Sequence, residues 1–66
     1  MIRKILRLPQ VEEATGESRS TIYKRISEGE FPKPVKLGTK SVGWPEDEVA
    51  DYIDRRIAAR DAANAP

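Results

Sequence analysis

The sequence predicts a mainly α-helical fold with a small β-hairpin, arranged as a winged helix-turn-helix. An apolar-spaced segment at residues 8–14 runs into a glycine turn, and a serine-capped second helix carries Arg19, Lys24 and Arg25. The following segment, PKPVKLGTKSVGW, alternates apolar and polar residues as a basic hairpin does. Because the sequence contains no internal repeat and no interdomain linker, we expect residues 1–61 to form one domain. Residues 62–66 should form a frayed C-terminal tail.

The composition argues against an enzyme. A chain of 66 residues buries only about 60% of its unfolded surface, which leaves little room for an enclosed substrate cavity. The sequence contains no histidine and no cysteine, so the commonest general base and the commonest metal ligands are missing. The 11 carboxylates form no calcium-loop pattern. We therefore expect no catalytic residue, no cofactor and no metal.

The hydropathy pattern predicts a protein without a membrane partner. No apolar run approaches the roughly 20 residues that a membrane-spanning helix needs. The basic N-terminal segment is not followed by the apolar stretch of a signal peptide. The expected location is cytoplasmic.

The small net charge of +1 hides an uneven distribution. Residues 18–41 contain six cations and two anions, a net charge of +4, whereas residues 42–66 contain three cations and six anions, a net charge of −3. The first 17 residues are balanced at three of each sign. A basic middle segment of this kind is typical of a surface that binds phosphate.

The first helix is predicted to begin at Pro9, because proline at the first helical position loses no hydrogen bond. Residues 2–7 precede it as a short strand or an extended segment. The helical period places three apolar residues on one face: Leu8, Val11 and Ala14. Gly16 is expected to end the helix in the left-handed conformation.

The second helix is predicted to begin after Ser18, a residue type that caps helices well. Ile22 and Ile26 supply its buried stripe, and Gly29 ends it. Arg25 lies close to that stripe, so its aliphatic stem is expected to cover the core. The opposite, exposed face carries Ser20, Lys24 and Ser27, with Thr21 and Tyr23 on its two shoulders.

The hairpin is predicted to turn at residues 38–40, and alternation assigns its residues to two faces. The apolar face is expected to hold Val35, Leu37, Val42 and Trp44, and the polar face Lys36, Ser41 and Gly43. Trp44 should lie in the core. Gly43 either allows a close backbone approach by a ligand or relieves crowding between strands.

The third helix is predicted to open at Pro45, with three carboxylates in its first turn, where the helix dipole favours anions. Its apolar face is expected to consist of Val49, Tyr52, Ile53 and Ile57.

Two groups of side chains are candidates for contact with double-stranded DNA. A single helix fits the major groove, where polar and basic side chains reach base edges. The candidates on the second helix are Ser18, Arg19, Ser20, Thr21, Tyr23 and Lys24. The candidates on the wing, suited to the DNA backbone or minor groove, are Lys36, Thr39, Lys40 and Ser41. Arg19 can read guanine or clamp a phosphate, and Tyr23 can contact DNA or pack on the wing.

The chain resembles the AlpA-type prophage regulators, within the larger group of MerR-like and excisionase winged helices. The resemblance spans residues 4–60 and is carried by SRSTIY at 18–23, EGEFPKPVKLG at 28–38, and VGW before an acidic helix start. It implies a compact DNA-binding protein from a prophage or other integrated element. Such proteins regulate transcription, often of an integrase gene, or act as excisionases that bend attachment-site DNA.

One residue departs from the family pattern. Members of this family usually have Val or Leu between the turn glycine and the capping serine, where this chain has Glu17. An apolar residue there would pack on Ile22 and staple the turn. The departure therefore predicts a turn without that apolar anchor.

The expected partner is double-stranded DNA, at a promoter or at attachment-site repeats. One recognition helix reads only a few base pairs, so several copies on adjacent sites, or a dimer, are expected. Integrase is a second partner for an excisionase. A protein of another class, an antirepressor-like interaction module, would use the same fold to bind protein instead of DNA.

Overall fold

The computed structural model describes residues 2–63, which form three helices and three short strands. In chain order these are β1 (Ile5–Leu6), α1 (Leu8–Thr15), α2 (Arg19–Ser27), β2 (Val35–Lys36), β3 (Val42–Pro45) and α3 (Glu46–Ala63). The fold is mainly α-helical with a small antiparallel hairpin, as predicted for a winged helix-turn-helix.

The strand β3 lies at the centre of a three-stranded antiparallel sheet with the order β1-β3-β2. In β1, Leu6 lies opposite Trp44, and Ile5 lies opposite Pro45. The Glu46 amide donates to the Lys4 carbonyl at 2.8 Å. Of the two conformations expected for the N-terminal segment, the structure contains the strand, over residues 5–6.

The ends of the first helix follow from local rules. Arg7 is the N-cap in an extended conformation, and its amide donates to the Gln10 side chain at 2.9 Å. The helix begins at Leu8, one residue earlier than predicted, so Pro9 occupies its second position. Gly16 ends it with φ 73°, and the Gly16 amide donates to the Glu12 carbonyl at 2.8 Å.

The core lies between the sheet and the helices and is built around Trp44, which is fully buried as predicted. The Trp44 Nε1 donates to the Pro32 carbonyl at 3.0 Å, so the one polar atom of the indole is satisfied. The other buried apolar residues are Leu6, Val11, Ile22, Phe31, Val49 and Tyr52.

The faces of the two hairpin strands differ from the predicted ones. Val35 pairs with Gly43, and Lys36 pairs with Val42. Residues that face each other across an antiparallel pair share one face of the sheet. Val35 and Leu37 therefore lie on the Gly43 face, away from Trp44, and are 44% and 46% exposed.

The predicted turn at 38–40 is present, but the predicted faces grouped residues by apolar character and not by the pairing that this turn imposes. Residues 38–40 form a loop of three residues, closed by the Leu37 amide donating to the Ser41 carbonyl at 2.8 Å. A loop of two or four residues would pair Val35 with a neighbour of Gly43, and a shift of one residue exchanges the two faces. The prediction that Lys36 and Gly43 share a face was wrong for the same reason.

The last helix begins at Glu46, directly after Pro45, which ends β3 instead of opening the helix. Val49 and Tyr52 are buried, whereas Ile57 is 43% exposed. The helix continues to Ala63, and the rest of the tail predicted at 62–66 lies outside the described residues. Among the helices of residues 2–63, none combines the length and apolar character that a bilayer span requires.

Candidate nucleic-acid interface

The second helix begins where the serine was predicted to cap it. The Ser18 Oγ accepts a hydrogen bond from the Thr21 amide at 3.3 Å and lies 3.1 Å from the Thr21 hydroxyl oxygen. At the other end, the Gly29 amide donates to the Ile26 carbonyl at 3.1 Å with Gly29 at φ 78°. The helix is thus fixed at both ends by residues identified from the sequence.

The two faces of α2 have different environments. Ile22 is fully buried and Ile26 packs against the core from its edge. Of the six candidate contact residues on this helix, Ser18, Arg19, Ser20, Tyr23 and Lys24 are exposed and Thr21 is half-buried. The helix therefore presents a continuous polar and basic surface on the side away from the core.

An aromatic contact connects α2 to the central strand. The Arg19 guanidinium lies 5.8 Å from the centroid of the Tyr23 ring. The Tyr23 ring in turn meets Trp44 edge-on, with centroids 6.4 Å apart and planes at 70°. Of the two roles left open for Tyr23, packing against the strand that carries the wing is present, and the residue is still 38% exposed.

The wing places its candidate residues in three different settings. Lys36 pairs with Val42 and so lies on the sheet face that holds Trp44, the same side as the helices. Thr39 and Lys40 are exposed in the loop. Ser41 is half-buried, and its carbonyl closes the turn by accepting from Leu37 at 2.8 Å and Gly38 at 3.4 Å.

Gly43 has a role inside the sheet. It is buried, and a Cβ at this position would collide with the Ile5 side chain and lie 3.0 Å from the Leu6 carbonyl oxygen. The Leu37 side chain would lie 3.1 Å away. Of the two roles considered for Gly43, the relief of crowding is the one that the packing supports, because its outer face is covered by this chain's own side chains.

Four of the five cations of α2 and the wing form no ion pair within residues 2–63. Within residues 2–63, four arginines form ion pairs: Arg3, Arg25, Arg55 and Arg60. In the same part of the chain, no carboxylate lies within 4.0 Å of four exposed cations of α2 and the wing: Arg19, Lys24, Lys36 and Lys40.

The turn between α1 and α2 contains a polar cluster that the sequence did not reveal. The Glu17 Oε1 accepts a hydrogen bond from the Tyr52 hydroxyl at 2.6 Å, and its Oε2 accepts one from the Arg25 Nε at 3.1 Å. Arg25 also pairs with Glu30 at 3.3 Å. The turn thus lacks an apolar anchor, as predicted, and Glu17 supplies a polar one, while Arg25 is held by two ion pairs.

Ionisation in this cluster follows from its geometry. Burial alone would raise the pKa of Glu17, but hydrogen bonds from Tyr52 and Arg25 outweigh it and lower that pKa. Burial and the hydrogen bond to Glu17 raise the pKa of Tyr52. One sequence signal could have indicated the cluster: a tyrosine on the buried face of a helix needs a partner for its hydroxyl.

A helix-turn-helix packed on a small sheet, with a basic hairpin beside the second helix, defines this chain as a small winged helix-turn-helix domain. Residues 4–57 match the family described as prophage CP4-57 regulatory protein (AlpA). Since the match spans most of the chain, the protein belongs to the AlpA family of prophage regulatory proteins.

Two relatives illustrate the family. The uncharacterized protein ORF88 of Enterobacteria phage P4 is 49% identical over 57 residues, which cover 86% of this chain and 65% of that protein. The chain thus spans slightly less than two thirds of that relative's length. The DNA-binding transcriptional activator AlpA of Escherichia coli (strain K12) is 42% identical over 59 residues, covering 80% of this chain and 84% of the activator. No solved structure matches the chain.

Proposed function

We propose that this protein is a regulator of transcription that binds specific sequences in double-stranded DNA. In this proposal α2 is the recognition helix in the major groove, and residues 36–41 form the wing on the DNA backbone or in the minor groove. The similarity to a DNA-binding transcriptional activator from E. coli supports the general role. The arrangement on DNA is supported by the site itself.

The observation that carries the proposal is the placement on α2 and the wing of four exposed cations that form no ion pair in the part of the chain that the structure describes. Within residues 2–63, Arg19, Lys24, Lys36 and Lys40 have no carboxylate within ion-pair distance, although the chain contains 11 acidic residues. Such cations are free to displace counterions from phosphate, which is the main source of affinity for DNA. Their placement on two adjoining elements favours one extended ligand.

The exposed residues of α2 suit base reading as well as phosphate binding. Arginine and lysine donate to guanine O6 and N7, and serine hydroxyls pair with several bases. The contact with the Tyr23 ring restrains the Arg19 side chain, so less conformational entropy is lost when its guanidinium binds. We assign base contacts to Arg19, Ser20 and Lys24, and phosphate or sugar contacts to Ser18, Thr21 and Tyr23.

A selection of genomic DNA fragments bound by the purified protein would supply the operator for a direct test. We expect Arg19→Ala and Lys24→Ala each to weaken binding to that operator by about 1–3 kcal/mol, because each removes a base or phosphate contact. Fluorescence anisotropy measures the affinity, and thermal unfolding checks that the fold is retained.

Arg60→Ala is the matched control, since it removes an exposed arginine on α3 whose guanidinium pairs with the adjacent Asp61 at 2.8 Å. Its affinity should equal that of the wild type. If Arg19→Ala and Lys24→Ala also bind as the wild type does, α2 is not the recognition helix. If the selection yields no enriched sequence, the protein is not a sequence-specific regulator.

A further inference from the structure

The α1–α2 turn is connected to all three helices through one residue. The Glu17 amide donates to the Thr15 hydroxyl oxygen at 3.3 Å, and that hydroxyl donates to the Val11 carbonyl at 2.8 Å in α1. The two carboxylate oxygens of Glu17 then accept from Arg25 in α2 and Tyr52 in α3. Because α2 packs mainly on α1, few other contacts link α2 to α3.

We propose that Glu17 is a positioning residue that sets the orientation of α2 relative to α3 and so determines how its base-reading side chains enter the groove. This proposal rests on the proposed DNA-binding function, which it deepens. Glu17 itself would not touch DNA.

Arg25 transmits this restraint to the exposed face of α2. Its guanidinium is held by Glu17 at one end of the helix and by Glu30 beyond the other. The Arg25 carbonyl also accepts hydrogen bonds from the amides of Glu30, at 2.9 Å, and Phe31, at 3.3 Å. With Arg25 directed toward the turn, Ser20 lies about 140° away around the helix, on the exposed side.

Tyr52 supplies the fixed end of the restraint. It is 4% exposed, and its ring packs edge-on against Phe31 with centroids 4.6 Å apart. A tyrosine with so little freedom holds its hydroxyl at a defined point. The short hydrogen bond of 2.6 Å to Glu17 is of the charge-assisted kind, which is stronger than a bond between neutral groups.

Loss of the charge of Glu17 and loss of its positioning role should change the affinity for DNA in opposite directions. Loss of Glu17 removes a negative charge close to a basic surface, so simple electrostatics predicts tighter binding to every DNA sequence. If α2 is misoriented, binding to the operator should weaken and binding to other sequences should not. Base contacts need accurate geometry, whereas phosphate contacts tolerate a change in the orientation of the helix. A positioning role therefore lowers the ratio of specific to non-specific affinity.

The test measures affinity for the selected operator and for a scrambled duplex, with wild-type protein and Glu17→Ala, at a temperature where circular dichroism shows both to be folded. We expect operator affinity to fall roughly tenfold, equivalent to the loss of one base contact, with scrambled-DNA affinity unchanged or higher. Glu17→Gln keeps an acceptor for Tyr52 and loses the charge, so its effect should be smaller.

Glu13→Gln is the matched control, because Glu13 is exposed on α1 and forms no side-chain hydrogen bond or ion pair among residues 2–63. It should leave the affinity ratio unchanged. Tyr52→Phe removes only the hydroxyl and should lower the ratio of operator affinity to scrambled-DNA affinity, as Glu17→Gln does. If Glu17→Ala does not fold, Tyr52→Phe takes its place in the test. An equal ratio in wild type, Glu17→Ala and Tyr52→Phe would overturn the proposal.

Residual dipolar couplings of the free protein separate the two proposals. They report the orientation of α2 relative to α3 without DNA, and we expect that orientation to change in Glu17→Ala and not in Glu13→Gln. An unchanged orientation overturns the positioning role even if the protein binds its operator. Equal affinity of the wild type for operator and scrambled DNA would instead overturn the proposed function.

Discussion

Gly43 lies in the central strand at the point where the side chains of Ile5 and Leu37 close over the sheet. The sheet can be this tightly packed on its outer face only because position 43 has no side chain. Ile5 on β1 and Leu37 beside the loop thereby approach each other across β3. The apolar residues of the hairpin are partly shielded as a result.

We therefore predict that Gly43→Ala destabilises the protein by about 1–3 kcal/mol, the usual cost of overpacking. Gly38→Ala is the control, since nothing lies within 4 Å of a Cβ at that position. Denaturant unfolding of the two variants measures the difference. Equal free energies of unfolding would show that the outer face is not packed as described.

Glu17 gives the stability of the protein a dependence on acid. Its pKa in the folded protein lies below the ordinary value of 4.5, so its stabilising effect is complete above that value and is lost as the pH falls through the folded pKa. The groups that face it are Tyr52, Arg25 and Arg56. Of these, Arg25 and Arg56 are cations.

Glu17→Gln should accordingly lower the free energy of unfolding by about 1 kcal/mol at neutral pH, with the difference from wild type closing as the pH falls through the lowered pKa of Glu17. Glu13→Gln should match the wild type throughout that range. Urea unfolding at a series of pH values provides the measurement. A difference for Glu17→Gln that stays constant with pH would contradict the account.

Residues with local roles were predictable from the sequence, whereas residues with distant partners were not. The cap at Ser18 and the terminators Gly16 and Gly29 follow from neighbouring residues, and all three are present. The partners of Glu17 are 8 and 35 residues away. Their meeting depends on how the helices pack, which periodicity does not specify.

At the scale of whole elements, helix periodicity predicted more than strand alternation. The faces of α2 were predicted correctly because its period is independent of its neighbours. The relative faces of the two hairpin strands are set by pairing across the three-residue loop, and grouping by apolar character assigned Val35 and Lys36 to the wrong faces. The observed pairing places Lys36 on the side of the sheet where α2 lies.

The wing should contribute affinity without sequence preference. We expect Lys36→Ala and Lys40→Ala each to reduce the slope of log K against log salt by about 0.9, because each removes one phosphate contact. Affinities for operator and scrambled duplexes at several salt concentrations give the slope. Arg60→Ala should leave it unchanged, and a wing variant that alters base preference would contradict the assignment.

At the scale of the whole molecule, the basic and acidic segments of the sequence form different elements of the fold. The basic segment 18–41 contains α2, β2 and the hairpin loop, and the acidic segment that follows contains β3 and α3. The sequence predicted this separation and the fold class, because both depend on composition and order. A protein with one recognition helix should occupy repeated sites, and a footprint would show whether they lie beside a promoter or a recombination site.

The central claim is that α2 enters the major groove, and chemical protection of the selected operator with dimethyl sulfate tests it most directly. This reagent methylates guanine N7 in the major groove and adenine N3 in the minor groove. We predict protection of guanine N7 by the wild type, reduced at particular guanines by Arg19→Ala or Lys24→Ala. Protection confined to adenine N3, with every guanine N7 still reactive, would contradict the account.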